Sequence, residues 1–214
     1  MIHYQSLTFN PFQENTFILW NSKKECIILD PGCSNHAEEK MLADFISTRE
    51  LSPAAVWLTH CHIDHVLGLN FCLKKWSIPY FLHDLETEVL KSVEVYAPAY
   101  GFVHYSPPSD SGINIREGEI RLGEEIFEVL FVPGHSEGHL AFHHAGSSQI
   151  WSGDVLFRES IGRTDLPGGN FSLLEKSIRE KLYQLPDETR VHPGHGPDTS
   201  IGHEKIFNPF VSAG

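Results

Sequence analysis

The chain has 214 residues, 41% hydrophobic and 21% charged, with no low-complexity tract, a composition that suits a globular protein with a sizeable core and excludes a disordered or fibrous one. Acidic residues outnumber basic ones 28 to 16, giving a formal charge of -12 without a Lys/Arg cluster, which argues against a nucleic-acid partner because phosphate neutralisation needs grouped cations. No apolar run approaches the ~20 residues of a membrane helix, the start MIHYQSLTFNPFQENT lacks an export signal, and four cysteines without C-x-x-C spacing read as free thiols, so a soluble, cytoplasmic protein is expected.

Taken in chain order, TFILW (residues 16–20) and CIILD (26–30), separated by the turn NSKKE, predict a hairpin of strands. HAEEKMLADFISTREL (36–51) places Met41, Leu42, Phe45 and Ile46 at helical spacing and predicts an amphipathic helix. AAVWL (54–58) reads as a strand, VLGLNFCLKKW (66–76) as a helix, IPYFLH (78–83) as a strand and LETEVLKSVEVYA (85–97) as a helix. A Pro-rich stretch follows, and then the strands EIRLG, EIFEVLFVP, HLAFHHA and QIWSG. A late helix over 171–185 leads to TRVHPGHG. Hairpins alternate with β-α units and no linker interrupts them, so a single domain over 1–214 is expected, of α/β type, with mixed sheets covered by helices.

The chemistry concentrates where strands end. THCHIDH (59–65) follows AAVWL, PGHSEGH (133–139) follows EVLFV, SGDVLF (152–157) follows QIW, and HPGHG (192–196) follows TRV. Ligands of open α/β sheets bind outside the carboxyl ends of strands, so these four loops can converge. His135, Asp154 and His195, each taken alone, could be hydrogen-bonded core or turn residues. THCHIDH differs, because four titratable side chains in one strand-end loop would each need a partner once desolvated. A divalent cation supplies that partner to all of them, and imidazole with carboxylate suits zinc, manganese or iron. Seven donors exceed what one four-coordinate zinc takes. His60 and His62, alternating along an extended segment, project together, whereas Asp64 and His65 at the turn into the next helix point elsewhere.

T-H-x-H-x-D-H, P-G-H, G-D-x-L-F and P-G-H-G in this order resemble the metallo-β-lactamase-fold hydrolases, over nearly the whole chain. The resemblance implies a four-layer αββα sandwich with a two-metal site along one edge of the sheets, zinc being the first expectation and iron or manganese the alternatives. It implies that His60, His62 and His135 hold one metal, that Asp64, His65 and His195 hold the other, and that Asp154 bridges them. Many true β-lactamases of this fold carry a cysteine at the bridging position. FRESIGRTDLPGG (157–169) and the ending PGHGPDTSIGHEKIFNPF are similar to glyoxalase II-like thioester hydrolases, in a short form without the helical C-terminal domain that grips glutathione.

Only 19 residues follow His195, and Lys205 is the one Lys or Arg among them. Arg163 is the remaining candidate contact for an anionic small-molecule substrate, with pairing to Asp165 as its alternative role. The loop 95–108, with Tyr96, Tyr100, Phe102, His104 and Tyr105, is either a substrate lip or ordinary aromatic packing. The implied reaction is attack of a metal-held hydroxide on a thioester carbonyl, with Asp64 also orienting the hydroxide. Cys61 is not expected to be a nucleophile. The rival on the same scaffold is a persulfide dioxygenase with one iron on His60, His135 and Asp154.

Overall fold

The computed structural model describes residues 1–212, which form two compact units: Met1–Ile115 with Arg121–Glu125, and Arg116–Ile120 with Ile126 onward. In the first unit, β1 (His3–Phe9), β2 (Glu14–Trp20) and β3 (Glu25–Leu29) form an antiparallel meander. After α1 (His36–Thr48), the strand β4 (Ser52–Trp57) joins β3 in parallel. Two short helices, α2 (Ile63–Val66) and α3 (Leu69–Trp76), precede β5 (Tyr80–Leu82), and α4 (Glu86–Tyr96) precedes β6 (Ile113–Asn114). The sheet order is β1-β2-β3-β4-β5-β6, parallel from β3 to β6.

The strand β2 is buried along almost its whole length, and its apolar residues with those of β3 and β4 form a core that includes Ile18, Ile28, Val56, Leu42 and Val93. Asn35 caps α1 by accepting from the amides of Ala37 and Glu38, which fixes where the helix begins. Residues 66–76 do not form one helix. The chain breaks at Leu67–Gly68, where the Gly68 amide donates to the Pro31 carbonyl at 2.8 Å and a side chain would collide with Cys33 Sγ. That approach needs glycine at 68 and costs the helix its continuity.

The second unit carries the sheet β14-β13-β10-β9-β8-β7. Its members in chain order are β7 (Gly118–Leu122), β8 (Glu125–Phe131), β9 (Leu140–His144) and β10 (Gln149–Gly153). A small hairpin of β11 (Leu156–Phe157) and β12 (Ser160–Ile161) follows, then α5 (Phe171–Glu180). The unit closes with β13 (Arg190–Pro193), β14 (Thr199–Ser200) and α6 (Ile201–Phe207). The helix predicted to run to residue 185 ends at Glu180, with a 3-10 turn at Leu182–Gln184.

Because β9 is antiparallel to both β8 and β10, those two strands share a direction, and β13 runs parallel to β10. The carboxyl ends of β8, β10 and β13 therefore lie at one end of this sheet, each followed directly by a loop that carries a predicted donor. A core of Val132, Ala141, Ile150, Leu174, Ile178 and Val191, among others, holds α5 to the sheet. The α/β class expected from the sequence holds, with two mixed sheets and their helices. No helix among the described residues is long and apolar enough to cross a membrane.

Candidate metal centre

The first unit contributes the loop that follows β4. Thr59, His60 and Cys61 are buried, and His62 is the extended residue that precedes α2. The rings of His60 and His62 lie 4.7 Å apart between centroids, so these two project together as the alternation predicts. His65 does not turn elsewhere, contrary to expectation: its ring lies 4.2 Å from that of His60. One helical turn in α2 brings it back over the loop, a geometry that alternation along a strand does not convey. His65 Nε2 lies 3.8 Å from Asp64 Oδ2, across the first turn of that helix.

Each of the two buried imidazoles has its Nδ1 occupied. Thr59 Oγ1 lies 3.0 Å from His60 Nδ1, and Asp30 Oδ2 lies 3.1 Å from His65 Nδ1. Asp30, at the end of β3, also accepts from the Thr59 amide at 2.7 Å and from the Thr59 hydroxyl at 2.6 Å. It adopts φ 50°, a left-handed conformation that Asp tolerates better than most residues. One carboxylate thus fixes both the start of the donor loop and a ring within it. Glu86, fully buried at the start of α4, accepts from the Cys61 amide at 2.8 Å and holds the middle of the loop.

Cys61 itself is fully buried, and burial first, with Glu86 and Asp30 nearby, pushes its thiol well above the ordinary range. A thiol so held stays protonated and shielded, in line with its expected lack of a nucleophilic role.

The second unit contributes one side chain from each of its three aligned strand ends. Asp154 Oδ2 lies 3.6 Å from His135 Nε2 and 3.5 Å from His195 Nε2. Such separations are too long for good hydrogen bonds. They match the ~3.4 Å edge of a tetrahedron whose donors sit at zinc–nitrogen and zinc–oxygen distances. The donor chemistry and its spacing fit a divalent cation.

His135 Nδ1 lies 2.8 Å from the backbone carbonyl of Arg163, so this ring too keeps Nε2 for the Asp154 side. The Asp154 amide donates to His139 Nε2 at 3.1 Å. A Cβ at Gly162 would collide with the Asp154 carbonyl and lie 3.1 Å from His135 Nδ1, so only glycine lets this segment pass behind both donors.

Two further residues from these loops have partners of their own. Arg163 forks onto Asp165, with Nε at 2.7 Å from Oδ1 and Nη2 at 2.8 Å from Oδ2, both side chains exposed. That contact holds the Asp165 carboxyl down to about 2. His192, the first histidine of HPGHG, is a buried core residue. It stacks on Trp151 at 5.1 Å and bonds Asp198 and Gln149. In the 95–108 loop, Phe12 packs on Tyr100 and Phe102, and Tyr96 on Tyr100, so aromatic packing accounts for three of the five residues. Sequence reasoning missed Asp30, Glu86 and His139 as positioning groups. Asp30 carried a weak signal, a carboxylate closing a buried strand just before Pro-Gly.

A family model described as the metallo-beta-lactamase superfamily matches residues 9–195, a span that contains all seven donor positions. The chain is 37% identical over 211 residues to the "Probable metallo-hydrolase YqgX" of Bacillus subtilis, covering 98% of this chain and 97% of that one. It is 34% identical over 208 residues to the "Hydroxyacylglutathione hydrolase GloC" of Haemophilus influenzae, covering 94% of each. Among solved structures it is similar to the BLEG-1 B3 metallo-beta-lactamase, with a TM-score of 0.87 and 34% identity over 98% of this chain and 99% of that one.

Proposed function

The chain belongs to the metallo-beta-lactamase superfamily of metal-dependent hydrolases, and on that premise we propose that it is a dinuclear hydrolase of thioesters such as S-2-hydroxyacylglutathione. The proposal joins the two donor sets into one centre within one functional domain. His60, His62 and His135 would hold one ion, Asp64, His65 and His195 would hold the other, and Asp154 would be shared.

The observation that carries it is the position of Asp154 Oδ2, nearly equidistant from His135 Nε2 and His195 Nε2, two rings assigned to different ions. A carboxylate oxygen placed between two imidazole nitrogens in this way suits a bridging ligand. Zinc is the first choice for such donors, with iron or manganese able to replace it. The thioester reading is supported by the GloC relative and by the likeness of residues 157–169 to glyoxalase II-like enzymes.

Bound divalent ions would supply a polarised carbonyl and a water acidic enough to ionise near neutral pH. The chain's own residues supply the rest. Asp64 accepts a hydrogen bond from the attacking oxygen and orients it. Asp30 and the Arg163 carbonyl keep His65 and His135 from rotating, so the donors need no rearrangement during turnover. A thiolate is a good leaving group, and no separate general acid is required.

The test is metal analysis of the reconstituted protein together with parallel assays on a hydroxyacyl thioester, a β-lactam and a persulfide with oxygen consumption. Two metals per chain with thioester cleavage is the expected result. Turnover of the β-lactam alone would overturn the substrate assignment. A firm stoichiometry of one, with oxygen uptake on the persulfide, would favour the mononuclear iron dioxygenase on His60, His135 and Asp154.

A further inference from the structure

The hairpin of β11 and β12 stands next to three of the donors yet has little of its own to hold it. It follows Asp154 almost directly, and Phe157 sets its ring edge-on to that of His195, 6.2 Å between centroids. Its returning strand leads to Gly162 and to the Arg163 carbonyl that fixes His135. Each strand has two residues, and the pair forms a sheet of its own, joined to neither six-stranded sheet. Even a longer hairpin of two strands is marginal in water. The turn adds to the difficulty, because Glu159 takes a left-handed φ of 54°, which Glu adopts less readily than Gly or Asn. Val155 and Leu156 are fully buried and anchor the outgoing strand, whereas Ser160 and Ile161 are only partly buried.

Helix α6 holds the turn and the returning strand from outside. Glu204 is fully buried, and its Oε2 accepts from the Glu159 amide at 2.9 Å and from Asn208 Nδ2 at 2.8 Å. Its Oε1 accepts from the Thr199 hydroxyl. The same Asn208 Nδ2 donates to the Ser160 carbonyl at 3.0 Å. Two consecutive residues of the hairpin are thus gripped, one by its N–H and the next by its C=O.

All three donors to the Glu204 carboxyl group are neutral. Taking a carboxylate out of water among neutral donors is costly, and an apolar side chain would serve a helix that only had to pack. The grip itself has a firm base. Ile201 and Val211 lie in the core, and the Tyr183 hydroxyl lies 2.8 Å from the Val211 carbonyl.

We propose that Glu204, together with Asn208, is a positioning residue of the metal centre. It fixes the hairpin so that the Arg163 carbonyl meets His135 Nδ1 and Phe157 meets His195. The inference rests on the reading of His135 and His195 as metal donors. It adds to that reading a carboxylate that touches no donor and acts on two of them through one hairpin.

The test is a competitive titration of the metal-free, full-length protein with zinc against a chelator, beside its thermal unfolding. Glu204→Leu keeps most of the volume and removes the acceptors. Its metal affinity should fall about tenfold, the low end of the roughly 10–100-fold found for groups that orient metal-bound histidines. Glu204→Gln should restore the affinity, because its carbonyl takes the Oε2 place and its NH₂ donates to the Thr199 oxygen. Thr199→Val controls for a merely structural role, since it breaks the bond to the other carboxylate oxygen and leaves the hairpin contacts in place. It should lower the melting temperature with metal affinity unchanged. In zinc-loaded protein with nitrogen-labelled histidine, the His135 Nδ1–H resonance should be protected from exchange in wild type and Glu204→Gln, and lost in Glu204→Leu. Asn208→Asp loses the donor to Ser160 but keeps the acceptor for the Phe210 and Val211 amides. It should weaken metal binding too, and it decides the matter if Glu204→Leu does not fold.

Metal affinity that follows melting temperature through every variant, Thr199→Val included, would make Glu204 a structural residue and overturn the proposal. So would wild-type affinity in Glu204→Leu, or in Asn208→Asp where that variant has to decide. Wild-type protein that takes up no zinc would give a different result, overturning the dinuclear reading and this inference with it.

Discussion

Replacing Asp30 separates holding the fold from holding a metal, because two substitutions remove different things. The carboxylate is 2% exposed and accepts from the Thr59 amide, the Thr59 hydroxyl and His65 Nδ1. Asp30→Ala leaves all three polar groups buried without this partner. At ~1–3 kcal/mol each, and less than additive, the loss is about 4 kcal/mol. The left-handed backbone at φ 50° adds about 1 kcal/mol, since alanine tolerates it less well. Against a total stability of roughly 5–15 kcal/mol, that is a severe lesion.

Asp30→Asn keeps the shape and tolerates the same backbone. Its carbonyl oxygen takes the place of Oδ1 and still accepts from the Thr59 amide. Its NH₂ then replaces Oδ2 and faces His65 Nδ1, which must become an acceptor. The proton moves to His65 Nε2, the atom needed for a metal. The expected stability cost is only about 1–2 kcal/mol, but metal affinity at the His65 side should fall by a factor of about 10–100. Chemical denaturation and metal titration of wild type and both variants measure the two effects. If Asp30→Asn binds its full metal complement with unchanged affinity, or unfolds as readily as Asp30→Ala, the tautomer reasoning is wrong.

Further outcomes are expected. Asp154→Ala should lose metal and activity together, whereas Arg163→Ala should retain metal, because His135 is held by the backbone carbonyl of residue 163 and not by its side chain. Elemental analysis beside kcat/KM checks this, and equal loss of activity with metal retained in both would contradict it. Because Arg163, the candidate contact for an anionic substrate, is already forked onto Asp165, discrimination between a hydroxyacyl-glutathione and a smaller thioester should be modest and should weaken with salt. A preference of several orders of magnitude that salt does not touch would reveal a dedicated carrier site. All four cysteines are buried, with Cys26 pushed up to about 12 by burial and Cys61 and Cys72 also raised, chiefly by burial. A thiol reagent at neutral pH should therefore titrate almost none in the native protein and four after denaturation.

The strands that carry the donors were legible because they are apolar runs cut off by Pro, Gly or His, and the core took them much as read. The edge strand β1 was not: HYQSLTF is largely polar and only partly buried, and it is a strand because all seven residues pair with β2. Helix α6 was hidden in the final loop, its one local signal being Ser200, which accepts from the His203 amide as a cap. Donor identity could be read from residue type and spacing, yet the groups that aim the donors could not. Asp30 reaches His65 across 35 positions and Glu86 reaches Cys61 across 25. Such pairings exist only once the sheet order is known. His192 and His195 show the converse, since they sit only three residues apart, yet His192 is buried inside β13 and His195 lies in the loop beyond it.

The segment behind His135 divides its duties between neighbours. At 162 no side chain larger than hydrogen is tolerated, while the next residue serves the site through its main chain and sends its own side chain, 62% exposed, out to Asp165. Variation at 163 is therefore nearly invisible to the donors, because any amino acid offers the same carbonyl. Selection can rewrite the outward group generation after generation without disturbing the chemistry behind it. A lineage on this framework could change the charge it presents at this point one codon at a time, with the donors behind it left in place.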